Sequence, residues 1–174
     1  HKTGTDRIYE ALNRIGGTDS ELVMNLQGDE PLINIDDIRK LHKKMIETKF
    51  EIGTLASNIS DNDLYTDKNT VKVITKEGLS VSKFPEALNF IRNLENITDN
   101  TYHHLGVYCY QLEILKKFVS LKQSQNEIKN KLEQLIALDN NIKINVSLAK
   151  HSPIGVDTEK DFVAIKKIME YKSK

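Results

Sequence analysis

Leu22-Val23-Met24-Asn25-Leu26-Gln27-Gly28-Asp29-Glu30-Pro31 is the stretch on which the reading of the fold turns. Its first half is a short apolar run bounded by turn formers, which predicts a buried strand over Leu22–Leu26. Its second half is a rigid turn. Gly28 lets the backbone bend sharply or approach a ligand, and Pro31 fixes the exit and biases Glu30 away from helix. Asp29 is therefore held at a strand end. A carboxylate there suits Mg²⁺, which takes oxygen ligands and often binds one or two carboxylates together with substrate phosphates. A plain turn with a solvated acid explains the same five residues.

Outward from this stretch, strands and helices alternate. Ile8, Leu12 and Ile15 have helical spacing over residues 5–15, and Gly16-Gly17 ends that helix. Asn34 can cap a helix whose apolar face is Ile35, Ile38, Leu41 and Met45. Ile52–Ala56 and Val71–Ile74 read as strands, with a polar loop between them. Residues 84–101 read as irregular or helical. Tyr102–Tyr110 is β-rich around Gly106. Leu112–Val119 and Glu127–Leu138 read as amphipathic helices. Ile142, Ile144, Val146 and Leu148 alternate, the mark of a strand with one buried face. Thr158 and Asp161 resemble a capping box opening a last helix that buries Phe162, Ile165 and Ile168 or Met169. Such alternation predicts an α/β layer architecture with a largely parallel sheet, and ligands beyond the carboxyl ends of its strands.

The bulk numbers fit one soluble domain over residues 1–174. The chain is 39 % apolar and 29 % charged, with 25 basic and 25 acidic residues. Balanced charge gives no reason to expect nucleic acid or a membrane surface as partner. Cys109 is the single cysteine, so no intramolecular disulfide can form, which suits a reducing cytoplasm. No apolar run approaches the roughly 20 residues needed to span a bilayer.

Three other segments carry chemistry-bearing residues. Thr3-Gly4-Thr5-Asp6-Arg7 leads into the first helix; its amides and hydroxyls could bind an anion or nucleotide, or Thr3 or Thr5 could simply cap the helix. His104 and Tyr108 are an even number of residues apart and would share one face of a strand. Asp157, in Gly155-Val156-Asp157-Thr158, precedes a helix and could cap it, or could join Asp29 in holding metal.

Taken in order, these segments resemble the 3-deoxy-manno-octulosonate (Kdo) cytidylyltransferase family. The matching pieces are His1–Arg7 (H-x-S-G-T-D/E-R), Val23–Pro31 (V-x-x-Q-G-D-E-P), Asn69–Val73 (N-x-V-K-V), His103–Tyr108 (R-H-L-G-I/V-Y), Leu132–Leu135 (L-E-Q-L) and Gly155–Thr158 (G-V-D-T). The resemblance implies a nucleotidyltransferase-type sheet with flanking helices and a dimerising, sugar-binding lobe at about residues 80–140. It implies attack by the anomeric hydroxyl of Kdo on the α-phosphate of CTP, giving CMP-Kdo and pyrophosphate for lipopolysaccharide. Asp29 and Asp157 would hold Mg²⁺. Thr3, Gly4, Thr5, Arg7 and Gln27 would face the nucleotide. Gln27, Lys83, His104, Tyr108, Glu133 and Gln134 would recognise the sugar acid. A homodimer is expected.

Departures from the family pattern set further expectations. The family's Ser-Arg that meets the sugar carboxylate is placed at Ser82-Lys83, where Lys offers a point charge rather than a fork. Ile136 and His103 stand where the family has Arg. The family's opening strand and triphosphate loop, P-A-R-x-x-S-x-R, has no counterpart in these residues, so the chain by itself is expected not to turn over CTP. A catalytically dead remnant, or a cytidylyltransferase for another sugar acid, remains an alternative at this point.

Overall fold

A computed structural model describes residues 3–59, 63–94, 99–151, 155–156 and 159–172. In chain order the elements are α1 (Gly4–Arg14), β1 (Leu22–Asn25), α2 (Ile35–Thr48), β2 (Ile52–Ser57), the one-turn α3 (Asp63–Thr66), β3 (Lys72–Thr75), β4 (Ala87–Ile91), β5 (Thr101–Gln111), α4 (Leu112–Ser120), α5 (Gln125–Asn130), α6 (Leu135–Asp139), β6 (Ile144–Leu148) and α7 (Glu159–Lys172). Local chemistry sets the helix starts. The Thr3 hydroxyl accepts the Asp6 amide at 3.2 Å, and the Asn34 side chain accepts the Asp36 amide at 2.8 Å.

The strands form one six-stranded sheet in the order β4-β3-β5-β2-β6, with β1 also paired to β5. Four of the five pairings are antiparallel, and β2–β6 is parallel. The expectation of a largely parallel sheet is thus corrected. The reason lies in the connections. Residues 76–86 are too short to carry a helical crossover, so β4 folds back antiparallel on β3; β5 then pairs antiparallel with the other edge of β3, which leaves β4 and β5 running the same way on either side of it.

β5 organises the site. β2 occupies one of its edges from His103 to Tyr110. The other edge is shared: β3 faces Thr101–His103, and β1 faces Tyr108–Gln111. Between them the Val71 carbonyl takes the His104 amide at 2.9 Å. The Gly106 amide has no strand opposite it and is bonded instead by Glu30 Oε1 at 2.7 Å. This gap in the sheet lies where β1 ends and β3 begins.

Both faces of the sheet are covered. Leu41 and Met45 of α2 pack on Leu55, Leu105, Val107 and Cys109. On the other face Leu12, Leu115, Phe118, Leu135 and Ile136 pack on Ile52, Tyr110, Ile144 and Val146. Gly53 is required by the α2 contact, since a Cβ there would sit 2.7 Å from Met45 Sδ and 2.9 Å from Leu41 Cδ1.

Several element expectations are corrected. Residues 84–101 contain strand β4. The predicted helix over 127–138 is two short helices, α5 and α6, because Lys131 takes a left-handed φ of 54° and breaks the ladder. β6 starts at Ile144 and is buried on both faces, since Asn145 and Ser147 are also inside. Ile35 is 59 % exposed while Asp37 is buried, its carboxylate bonded by Lys40 Nζ and the Lys150 amide. Phe162 is exposed; Ile165 alone of the predicted α7 face is fully buried. The proposed cap at Thr158 lies outside the described residues.

Candidate active site

The gap over β5 opens into a cleft of about 770 Å³, within the range of small-molecule sites. Thr5, Gln27, Asp29, Glu30, His104, Tyr108, Glu133 and Gln134 line it together. The start of α1 abuts it: a Cβ at Gly4 would lie 3.7 Å from Gln27 Nε2 and 4.0 Å from Glu133 Oε2. Arg7 is exposed on α1 and outside the cleft lining, and Thr3 is occupied as the helix cap.

The Gln27–Pro31 turn forms one wall. The Glu30 amide bonds back to the Gln27 carbonyl at 3.3 Å, and the Ile33 amide to the Glu30 carbonyl at 3.2 Å. Glu30 fastens this turn to β5 through Gly106, where any Cβ would come 3.2 Å from Glu30 Oε1. The Val156 amide bonds the Asp29 carbonyl at 2.8 Å, so the Gly155-Val156 segment is docked on the same turn. Asp29 is exposed at this wall. Asp157 follows Val156 in sequence and lies outside the described residues.

The floor is aromatic. The rings of His104 and Tyr108 lie 5.4 Å apart, and Tyr108 stacks on Tyr110 at 5.8 Å. Burial, with His103 adding to it, pushes the His104 pKa down to about 3, so the ring is neutral. Burial raises the Tyr108 pKa well above its usual value, and Tyr110, Glu133 and Glu30 push the same way. Both side chains therefore act as hydrogen-bonding groups, not as ions. Glu133 Oε1 is buried with no hydrogen-bond partner among the described residues. An oxygen so placed favours a ligand that brings donors.

Sequence reasoning missed the cationic side of the cleft. Lys83, expected at the sugar carboxylate, is outside the lining; it is exposed on the turn before β4 and paired to Glu77 at 3.2 Å. Arg92 and Lys131 line the cleft instead. Arg92 follows β4 directly, and its guanidinium bonds the Lys68 and Asn69 carbonyls. Lys72 is wholly buried beneath, donating to the Asp67 and Arg92 carbonyls at 2.5 and 2.7 Å, with its pKa lowered by burial. It fastens both ends of this wall. Arg92, in Ile91-Arg92, is thus the arginine the structure brings to the cleft, with Ile91 where a Ser-Arg pair would have serine.

A family model described as cytidylyltransferase matches residues 1–144. A 3-deoxy-manno-octulosonate cytidylyltransferase of Bartonella tribocorum is 41 % identical over 171 residues, covering 97 % of this chain and 70 % of the relative. The chain belongs to the 3-deoxy-manno-octulosonate cytidylyltransferase family. A member from Thermodesulfovibrio yellowstonii is 38 % identical over 179 residues, again with 97 % and 70 % covered. The solved structure of a CMP:2-keto-3-deoxy-manno-octonic acid synthetase complexed with CTP superposes with a TM-score of 0.84 at 28 % identity, covering 99 % of this chain and 70 % of that one. Membership of this cytidylyltransferase family makes the chain a nucleotidyltransferase by class, and the six-stranded mixed sheet is that family's fold.

Proposed function

We propose that this cleft transfers CMP from CTP to 3-deoxy-manno-octulosonate, supplying CMP-Kdo for lipopolysaccharide. The observation that carries the reading is the convergence of Gln27, His104, Tyr108, Glu133 and Gln134 on one cleft with Asp29 at its wall. The anomeric hydroxyl oxygen of the sugar acid forms a bond to the α-phosphorus as the bond to the bridging oxygen of pyrophosphate breaks; the hydroxyl proton passes to solvent. Little covalent help is needed from the protein, so positioning and charge do most of the catalysis. Gln27, Glu133 and Gln134 offer a polyhydroxylated sugar both donors and acceptors. Arg92 takes its carboxylate in a two-pronged contact that lysine cannot copy. Thr5 and Gly4, at the start of α1, face the nucleotide.

The donor set fits Mg²⁺. Asp29 offers an exposed carboxylate beside the docked Gly155-Val156 segment. One or two carboxylates completed by substrate phosphates is a magnesium arrangement rather than a zinc one. Asp29 and Asp157 would hold the ion, which would neutralise triphosphate charge. A homodimer formed through the lobe at residues 80–140 accompanies this reading. A cytoplasmic setting fits both CTP as substrate and the free, buried Cys109; no helix among the described residues is long and apolar enough to cross a membrane.

The test is pyrophosphate release with CTP, Mg²⁺ and Kdo, with sialic acid in parallel, on a form of the protein that also carries the family's P-A-R-x-x-S-x-R segment. Release that needs Kdo and falls by about a hundredfold or more in Asp29→Ala is expected. Equal rates with both sugar acids, or an Asp29→Ala enzyme as active as the parent, would sink the assignment.

A further inference from the structure

The recognition chemistry of His104 depends on which ring nitrogen carries the proton, and that is decided one layer beneath the cleft. Thr54 on β2 is wholly buried. Its hydroxyl oxygen lies 2.7 Å from the Val107 carbonyl oxygen, 3.0 Å from His104 Nε2 and 3.4 Å from the Leu105 carbonyl oxygen. These carbonyls sit in an irregularity of β5, where the pairing with β2 jumps from Thr54↔Tyr108 to Leu55↔Leu105.

A hydroxyl has one proton and two lone pairs, and a carbonyl can only accept. The Thr54 proton therefore goes to Val107, the shorter contact. Toward His104 the hydroxyl has only a lone pair to offer, so Nε2 must be the donor. The ring is neutral for lack of solvation, so a proton on Nε2 leaves Nδ1 bare. Among the described residues the ring makes no second hydrogen bond. Phe90, edge-on at 5.0 Å, and Tyr108 hold its plane.

We propose that Thr54 is a positioning residue that locks His104 as the Nε2–H tautomer, so that Nδ1 serves as a neutral acceptor for a sugar hydroxyl. Arg92 and His104 then divide the substrate: Arg92 takes the carboxylate and His104 takes a hydroxyl. The second half of this statement rests on the sugar-acid reading above; the tautomer lock does not.

The experiment is a long-range ¹H–¹⁵N correlation spectrum of the protein with labelled histidine, joined to steady-state kinetics. The parent should show His104 with a protonated Nε2 and an unprotonated Nδ1. Thr54→Val removes the acceptor with little change of shape; it should lose the single tautomer and raise the sugar-acid KM about tenfold, the loss expected for one hydrogen bond, with the CTP KM unchanged. Thr54→Ser should restore both. A proton on Nδ1 in the parent, or an unaltered tautomer in Thr54→Val, would overturn the lock. Loss of the tautomer with neither KM changed would overturn the sugar contact and leave the lock standing. Should Thr54→Val fail to fold, the parent spectrum still decides the tautomer.

Discussion

Arg92 carries the guanidinium that lines the cleft among the described residues, and its backbone is held from below by Lys72. Arg92→Lys keeps the charge but removes the fork. We expect the KM for the sugar acid to rise about tenfold, with the KM for CTP unchanged, in kinetics that vary each substrate while the other is held saturating. An unchanged sugar KM would remove Arg92 from the carboxylate site. At this scale much of the site was legible in the sequence. Gln27, His104, Tyr108, Glu133 and Gln134 stand in segments that single out a site only through their order and their resemblance to the family, since each segment alone reads as ordinary structure; the fold brings them to one cleft. Arg92 was not legible, because its place depends on a strand that had not been recognised. Lys83 misled because a basic residue near the right position says nothing of where a turn points; here the turn faces Glu77 and solvent.

β2 and α2 approach each other closely at Gly53, where a methyl group would meet two side chains, Met45 and Leu41, that are themselves 0 % exposed. Neither can swing away without opening the core. Gly53→Ala should therefore cost about 1–3 kcal/mol of stability, read as a lowered urea midpoint with an unchanged slope. A midpoint equal to the parent's would show that α2 can shift at no cost. The same packing explains what was legible at this scale. β1, β2, β3, β5, α1, α2 and α4 carry hydrophobic runs or periods that only one secondary structure buries. The direction of strand pairing was not legible, because it is set by how far each connection must reach. Nor was the break between α5 and α6, made by Lys131 in a left-handed conformation that no glycine announces.

For the whole molecule, one edge of the sheet is formed by β4, where Leu88 is 57 % exposed, and the nearby Val81 is 68 % exposed. An apolar edge invites pairing with another chain. If the lobe at residues 80–140 joins two copies, Leu88→Lys should shift the mass in light scattering from dimer toward monomer at micromolar concentration, with the circular dichroism spectrum retained. A parent protein that is already monomeric would count against the dimer. The gap in the sheet carries a different consequence. Glu30 fills in for a missing strand at Gly106, and it lies so close that a side chain at 106 would crowd its carboxylate. The two positions are thus not independent letters. A lineage that gained a side chain at 106 would press on the acid at 30, whose carboxylate would have to give by a few tenths of an ångström and loosen its hold on the turn that presents Asp29. Substitutions at these two sites, 76 residues apart in the chain, should be inherited as a pair.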